Sequence, residues 1–295
     1  MKTETSHLHR DIKYIELFVR KLLLSGLSGN YLAALKGSGL QFEEVRPYQP
    51  GDEVRRIDWN ITARTNQPYV KIFREERELQ IMLAVDLSAS TLFGTQQQSK
   101  RDLIVHLAAL FAFLATKNND RVGLVTFSDQ IESWLPPKKG QRHVYRVVDT
   151  LLSSQPKHQA TALGPMLETL TRRIRKRSVI FLISDFRDQN YERALQLLSK
   201  KHDLIPICVS DLREQQWGNL GVLPVQDLES GQQAWVDTQD PEFRNAWKKQ
   251  FLAHQASTQT IFRKLRVDAL QFNTGESILK PLMLFFKRRT RRRSR

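Results

Sequence analysis

The sequence predicts an α/β protein built on a doubly wound, mostly parallel sheet flanked by helices. Three observations carry that prediction. Ile81-Met82-Leu83-Ala84-Val85 is a run of five apolar residues ending at Asp86, and Val179-Ile180-Phe181-Leu182-Ile183 is a second, followed by Ser184 and Asp185. Short apolar runs bounded by polar residues read as strands buried on both faces, as parallel strands are. Further strand-like runs then alternate with segments of helical periodicity, the signature of βαβ units.

Taken in order, Asp11 to Leu24 carries apolar residues at Ile12, Ile15, Phe18, Val19, Leu22 and Leu23, a helical spacing that Gly26 ends. Gly37 to Glu78 is dense in charge and broken by Pro47, Pro50, Gly51 and Pro68. It is expected as loops and short strands laced by ion pairs, with Tyr48 and Trp59 anchoring it on the core. Ser99 to Thr116 reads as a buried helix, Val122 to Phe127 as a strand and Gln130 to Leu135 as a short edge strand. Pro136 to Gly140 reads as a loop and His143 to Leu152 as a helix.

Thr161 opens an amphipathic segment from Ala162 to Ile174. Beyond Asp185, a helix over Tyr191 to Lys200 leads to a strand over Asp203 to Ser210. A hairpin follows around Ser230-Gly231, then a long helix from Pro241 to Leu265. A last strand over Arg266 to Phe272 and a last helix over Ile278 to Phe286 complete the pattern. The implied division is an N-terminal helix with a charged extension over 1–77, the α/β unit over 78–286, and a basic, disordered tail over 287–295.

Composition narrows the function. Apolar residues make up 40% of the 295 positions, enough for a substantial core. No apolar run reaches membrane-spanning length, and the polar start lacks the apolar segment of a signal peptide, so a cytoplasmic protein is expected. The single Cys208 fits a reducing compartment and reads as a small core residue. Of a formal net charge of +15, seven positive charges lie in Lys287, Arg288, Arg289, Arg291, Arg292, Arg293 and Arg295. Such a tail is a solvated end by default. It also admits contact with nucleic acid phosphates or an anionic membrane, although no aromatic residues interleave to stack on bases.

The chemistry is expected at the carboxyl ends of the strands, where open α/β sheets bind ligands. Asp86-x-Ser88-x-Ser90 places one carboxylate and two hydroxyls there. On its own the triplet also suits a turn or a helix N-cap. Thr161 and Asp185 add the oxygens that a hard cation would need, and so few negative charges leave a divalent ion electrophilic. Walker A, Gly-x-Gly-x-x-Gly, nucleophile-elbow and His-Glu-x-x-His patterns are absent from the sequence. No His or Lys is placed by sequence to activate Ser88 as a nucleophile.

Asp86-x-Ser88-x-Ser90, Thr161 and Asp185 together resemble the metal-ion-dependent adhesion site of von Willebrand factor A-like domains. The stretch from Gly37 to Asn60, GSGLQFEEVRPYQPGDEVRRIDWN, resembles the signature of the bacterial domain-of-unknown-function family fifty-eight. The likeness extends from about Gly26 to Phe286. It implies Mg2+, with Mn2+ accepted by the same oxygen octahedron. Ser88, Ser90 and Thr161 would ligate directly, Asp86 and Asp185 directly or through waters, and a protein partner would donate an acidic side chain. It further implies a MoxR-type AAA+ ATPase as partner, because members are often encoded beside one. The expectation is a non-enzymatic adaptor in protein assembly or maturation. The alternative is a basic nucleic-acid-associated protein with a vestigial metal site. A metal-dependent hydrolase is disfavoured, for want of a general base. Thr91, where an apolar residue is common, and Ser184-Asp185-Phe186 in place of Thr-Asp-Gly are departures from the pattern.

Overall fold

A computed structural model of the chain describes residues 17, 31, 34–35, 41–74, 78–95, 98–155, 160–228 and 231–293. Apart from Leu17, the helix expected over Asp11 to Leu24 lies outside them.

The centre is a six-stranded sheet in the order β10-β7-β6-β3-β4-β5. Its strands are β3 (Gln80–Asp86), β4 (Arg121–Phe127), β5 (Ile131–Lys138), β6 (Val179–Ser184), β7 (Asp203–Ser210) and β10 (Leu270–Asn273). All pairings are parallel except that of β5 with β4. β3 and β6 lie innermost and are almost wholly buried, as their apolar runs require. Side chains of β3 alternate between two cores. Ile81, Leu83 and Val85 enter one and Met82 and Ala84 the other.

Helices cover both faces. On the first lie α2 (Lys100–Lys117) and α3 (Gln141–Ser153), with Phe111 of α2 stacked on Phe181 of β6 at 4.0 Å. Truncating such a buried ring to alanine costs about 3–5 kcal/mol. On the second lie α4 (Leu163–Arg173), α5 (Glu192–Lys201) and α7 (Pro241–Leu265). α7 keeps the bounds expected of it, because Asp240 caps it and Pro241 opens its first turn. A short α6 (Leu212–Gln215) and the hairpin of β8 (Val222–Gln226) with β9 (Gln233–Asp237) follow β7.

Four expectations need correction. The charged extension has the short strands expected of it, β1 (Gln41–Pro47) paired with β2 (Tyr69–Arg74), but they enclose a helix, α1 (Trp59–Thr65), where loop was expected. Asp58 nucleates α1 by accepting the N–H groups of Asn60 and Ile61. Trp59 does not anchor the segment, since it is 66% exposed on the first turn of α1. The expected ion pairing is found between Arg46 and Asp52, two bonds of 2.7 Å, and between Arg56 and Glu53.

The prolines at 136 and 137 do not form a loop, and β5 runs on to Lys138. A sheet edge tolerates prolines, and Gly123 opposite makes room. A Cβ on Gly123 would sit 2.9 Å from Pro137 N and from Leu135 O.

The tail is not a disordered end from residue 287. Helix α8 (Leu279–Arg293) continues through the basic run. Arg289 is buried and pairs with Asp203 and Asp268, and Arg292 pairs with Asp268. Tyr31 meets Phe286 edge-on at 5.8 Å, and Ala34 O accepts from Arg289, so α8 is held from a second side.

Candidate functional site

Chain order reverses between β3 and β6. β3 is followed outward by β4 and β5, and the chain then returns to β6 and continues the other way. A crevice forms at the carboxyl ends where an open sheet switches direction, and ligands bind there. Asp86 ends β3, and Asp185 follows the last residue of β6. Both flank the switch point.

At the β3 end, Asp86 and Ser88 are fully buried. Asp86 Oδ1 accepts the N–H of Ser88 at 2.9 Å, and its Oδ2 accepts the hydroxyl of Ser184 at 2.6 Å. Ser88 Oγ and Ser90 Oγ lie 3.1 Å apart. The Thr91 hydroxyl donates to Ser88 O at 2.7 Å and holds the short turn after the strand. Thr91 therefore has a use of its own where an apolar residue is common. Burial, and then the charge of Asp185, push the Asp86 carboxyl up to about 7, against the opposing hydrogen bonds from Ser184 and Ser88.

The β6 end is arranged differently. Lys100 Nζ donates to Asp185 Oδ2 at 2.8 Å and to Glu214 Oε1 at 2.7 Å, with all three side chains nearly inaccessible. Arg187 approaches the same Glu214 oxygen at 3.5 Å, and its N–H donates to Asp185 Oδ1. Burial alone would raise Asp185, but the adjacent Lys100 and Arg187 bring it below the usual carboxylate range. Lys100 is likewise held charged, its two carboxylates outweighing its burial. Burial and then the Asp185 charge push the Cys208 thiol up to about 12, which disfavours the reactive thiolate.

Thr161 sits half-buried in the loop that enters α4. Its neighbour Ala162 donates to Ser128 O beyond β4, and Leu163 N donates to Asp188 beyond β6. The loop thus lies along the same rim. Asp211 has no part in the cation set. It accepts from Thr95 and Thr274 side chains and from Arg213 N, tying the ends of β7 and β10 to the turn before α2.

Sequence reasoning missed Lys100, Glu214, Arg187 and Ser184. One signal was available for Lys100, which follows the Ser99 N-cap as the first residue of α2, where the helix dipole disfavours a cation. Such a residue needs acidic partners. Glu214 carries no comparable local mark.

The donor chemistry suits a hard cation. Adjacent oxygens of an octahedron with magnesium-length bonds lie about 3 Å apart, which Ser88 Oγ and Ser90 Oγ match. Among the described residues no group of three or more His, Cys, Asp or Glu side chains forms a metal cage. The oxygens gathered here are hydroxyl-rich, and Asp185 is engaged by Lys100.

Comparisons with known proteins bear on ancestry. Residues 44–257 match the family described as protein of unknown function DUF58. The uncharacterized protein Rv1480 of Mycobacterium tuberculosis is 32% identical over 284 residues, covering 95% of this chain and 89% of that one. The uncharacterized protein YeaD of Bacillus subtilis is 28% identical over 99 residues, 34% of this chain and 23% of its own. Among solved structures, the conserved hypothetical protein BatB of Bacteroides thetaiotaomicron covers 72% of this chain and 99% of its own, at 16% identity and a TM-score of 0.48. With most of its length matched by one family and a relative of 32% identity along nearly all of it, the chain belongs to the family of unknown function DUF58.

Proposed function

We propose that this protein is a non-enzymatic, metal-dependent protein-binding module of the von Willebrand factor A-like type. The observation that carries the reading is the placement of Asp86, Ser88 and Ser90 at the switch-point crevice, with the two hydroxyl oxygens 3.1 Å apart. Ser88, Ser90 and Thr161 would hold Mg2+ or Mn2+. Asp86 would supply the nearby negative charge. Asp185, engaged by Lys100 through Oδ2, would support the ion at a distance through waters. A cation would also favour the ionised form of Asp86, which burial and then the charge of Asp185 disfavour.

So few anionic ligands leave the ion able to take a carboxylate from a partner protein. The partner we propose is a MoxR-type AAA+ ATPase, with this chain as its adaptor in protein assembly or maturation. Among the described residues Ser88 Oγ has Ser90 and Asp86 as its hydrogen-bonding neighbours and no His or Lys, which supports binding over catalysis. Among the described residues no helix is long and apolar enough to cross a membrane, and we propose the cytoplasm as the site of action. The rival reading, a nucleic-acid-associated protein acting through a free basic tail, has less support. Its tail is helical to Arg293, and two of its arginines are engaged in ion pairs.

Calorimetric titration of Mg2+ into the wild type and Asp86→Ala tests the reading. Saturable binding lost in the variant is expected, together with EDTA-sensitive capture of a MoxR-type AAA+ ATPase. Equal Mg2+ binding by both proteins, or capture indifferent to EDTA, would overturn it.

A further inference from the structure

Among the described residues no strand pairs with the outer side of β10, the edge of the sheet opposite β5, and this edge carries features the cation site does not use. Two cavities of about 620 Å³ each flank this one short strand. Both are lined by Ala269, Leu270 and Gln271 and by Arg288 and Arg292. The first lies on the α8 side, which packs into the core layer of Leu83, and adds Leu284, Lys287 and Arg291. The second lies on the α7 side, which packs into the opposite layer, and adds Arg263 and Arg266. The cavities therefore open on the two faces of the sheet just outside its last strand.

Among the described residues, the backbone of that strand has a pairing partner on one side alone. Thr274 N donates to Ser210 O of β7. Groups alternate along a strand, so Leu270 and Phe272 also turn toward β7, and the N–H groups of Gln271 and Asn273 turn outward. Strand addition uses such an edge. The incoming main chain pairs with the outward groups, and its side chains project alternately to the two faces. Here the two faces offer a cavity each, and each cavity is cationic. The one carboxylate among the lining residues, Asp268, is already paired with Arg289 and Arg292. Leu284, 60% exposed, gives the first cavity an apolar wall.

We propose that the β10 edge is a second docking site, which takes an extended acidic peptide segment of a partner protein as an added strand. This inference is independent of the cation reading and survives its failure. A basic patch alone would equally suit nucleic acid or anionic lipid. The open strand edge between two cavities on opposite faces is what favours a peptide.

The test is fluorescence anisotropy on the full chain without divalent cations. The probe is a labelled short peptide of alternating glutamate and valine, and a control of equal charge has proline in place of valine. A single-stranded oligonucleotide and phosphatidylserine vesicles complete the set. The first peptide is expected to bind at least about tenfold more tightly than the proline control, which cannot form a ladder. Arg288→Glu combined with Arg291→Glu should weaken it by a similar factor. Gln271→Pro removes an outward N–H and spares the β7 ladder, so it should abolish the preference over the control. If that variant fails to fold, amide exchange in the wild type serves instead, with Gln271 and Asn273 gaining protection when peptide is added. Equal binding of both peptides, no binding of the first, tighter binding of the oligonucleotide or vesicles, or unchanged exchange at Gln271 and Asn273 would each overturn the proposal.

Discussion

The two strand ends that flank the switch point carry the same residue type and treat it in opposite ways. Asp86, at the end of β3, is buried among hydroxyls and hydrogen-bond donors, and it is pushed up to about 7. Asp185, one strand away, is buried beside Lys100 and held below its ordinary range. One carboxylate has been given a cation by the chain and the other has not. The rim thus combines a locked half, which keeps a second bare negative charge out of the crevice, with a half whose charge is best met by something from outside. A divalent ion on Ser88 and Ser90 would complete the balance.

Breaking the locked half should have the largest effect. Lys100→Met leaves Asp185 and Glu214 buried without their shared cation and should destabilise by about 3–5 kcal/mol, read from urea unfolding. Adding Glu214→Gln should recover part of the loss. No recovery would show that Lys100 acts through packing instead.

A group at the other end of the sheet serves as the control. His202 is buried just before β7, its Nδ1 accepts from Ser178 N and its Nε2 has no partner among the described residues. Burial and the charges of Lys201 and Arg177 depress it to about 4. Its folded value lies below its unfolded one, so the stability it contributes is complete above about pH 6.5. That stability is lost as pH falls toward 4. His202→Gln should flatten this slope in pH-dependent unfolding without altering Mg2+ affinity. A slope that persists would assign acid sensitivity to the rim.

The open half responds in the other direction. Asp86→Asn removes a buried charge that Asp185 repels, and without metal it should raise stability by about 1 kcal/mol. Mg2+ should raise the Tm of the wild type and leave that of the variant unchanged. A variant less stable than wild type without metal would mean that the chain already balances Asp86. The smallest change expected in stability is that of Ser90→Ala, within about 0.5 kcal/mol. It removes one hydroxyl oxygen, and Mg2+ affinity should fall by about tenfold. Unchanged affinity would take Ser90 out of the cation set.

Much of this was legible beforehand, element by element. β3 and β6 were visible as apolar runs because strands buried on both faces need no polar alternation. α7 was visible because its cap, its first-turn proline and its periodicity lie within one contiguous stretch. Asp86, Ser88 and Ser90 were readable as a group because a single turn brings them together. Helix α1 was hidden, since a charged, proline-flanked stretch reads as loop and only Asp58 marks its start. The continuation of α8 was hidden by its charge. A run of arginines reads as a tail until Asp203 and Asp268 are seen to hold Arg289.

The sequence by itself determined the layers of this protein, the strands at its centre and the grouping of Asp86, Ser88 and Ser90 on one turn. Periodicity and capping act over a few residues and can be read from neighbours alone. Only the tertiary structure decided that the carboxylate after β6 is already paired, because its cation comes from 85 residues away and that cation's second acid from 114. It also decided that the basic run is a helix beside the edge strand β10. Charge pairing and strand edges depend on which segments meet in space, and a linear pattern does not contain that.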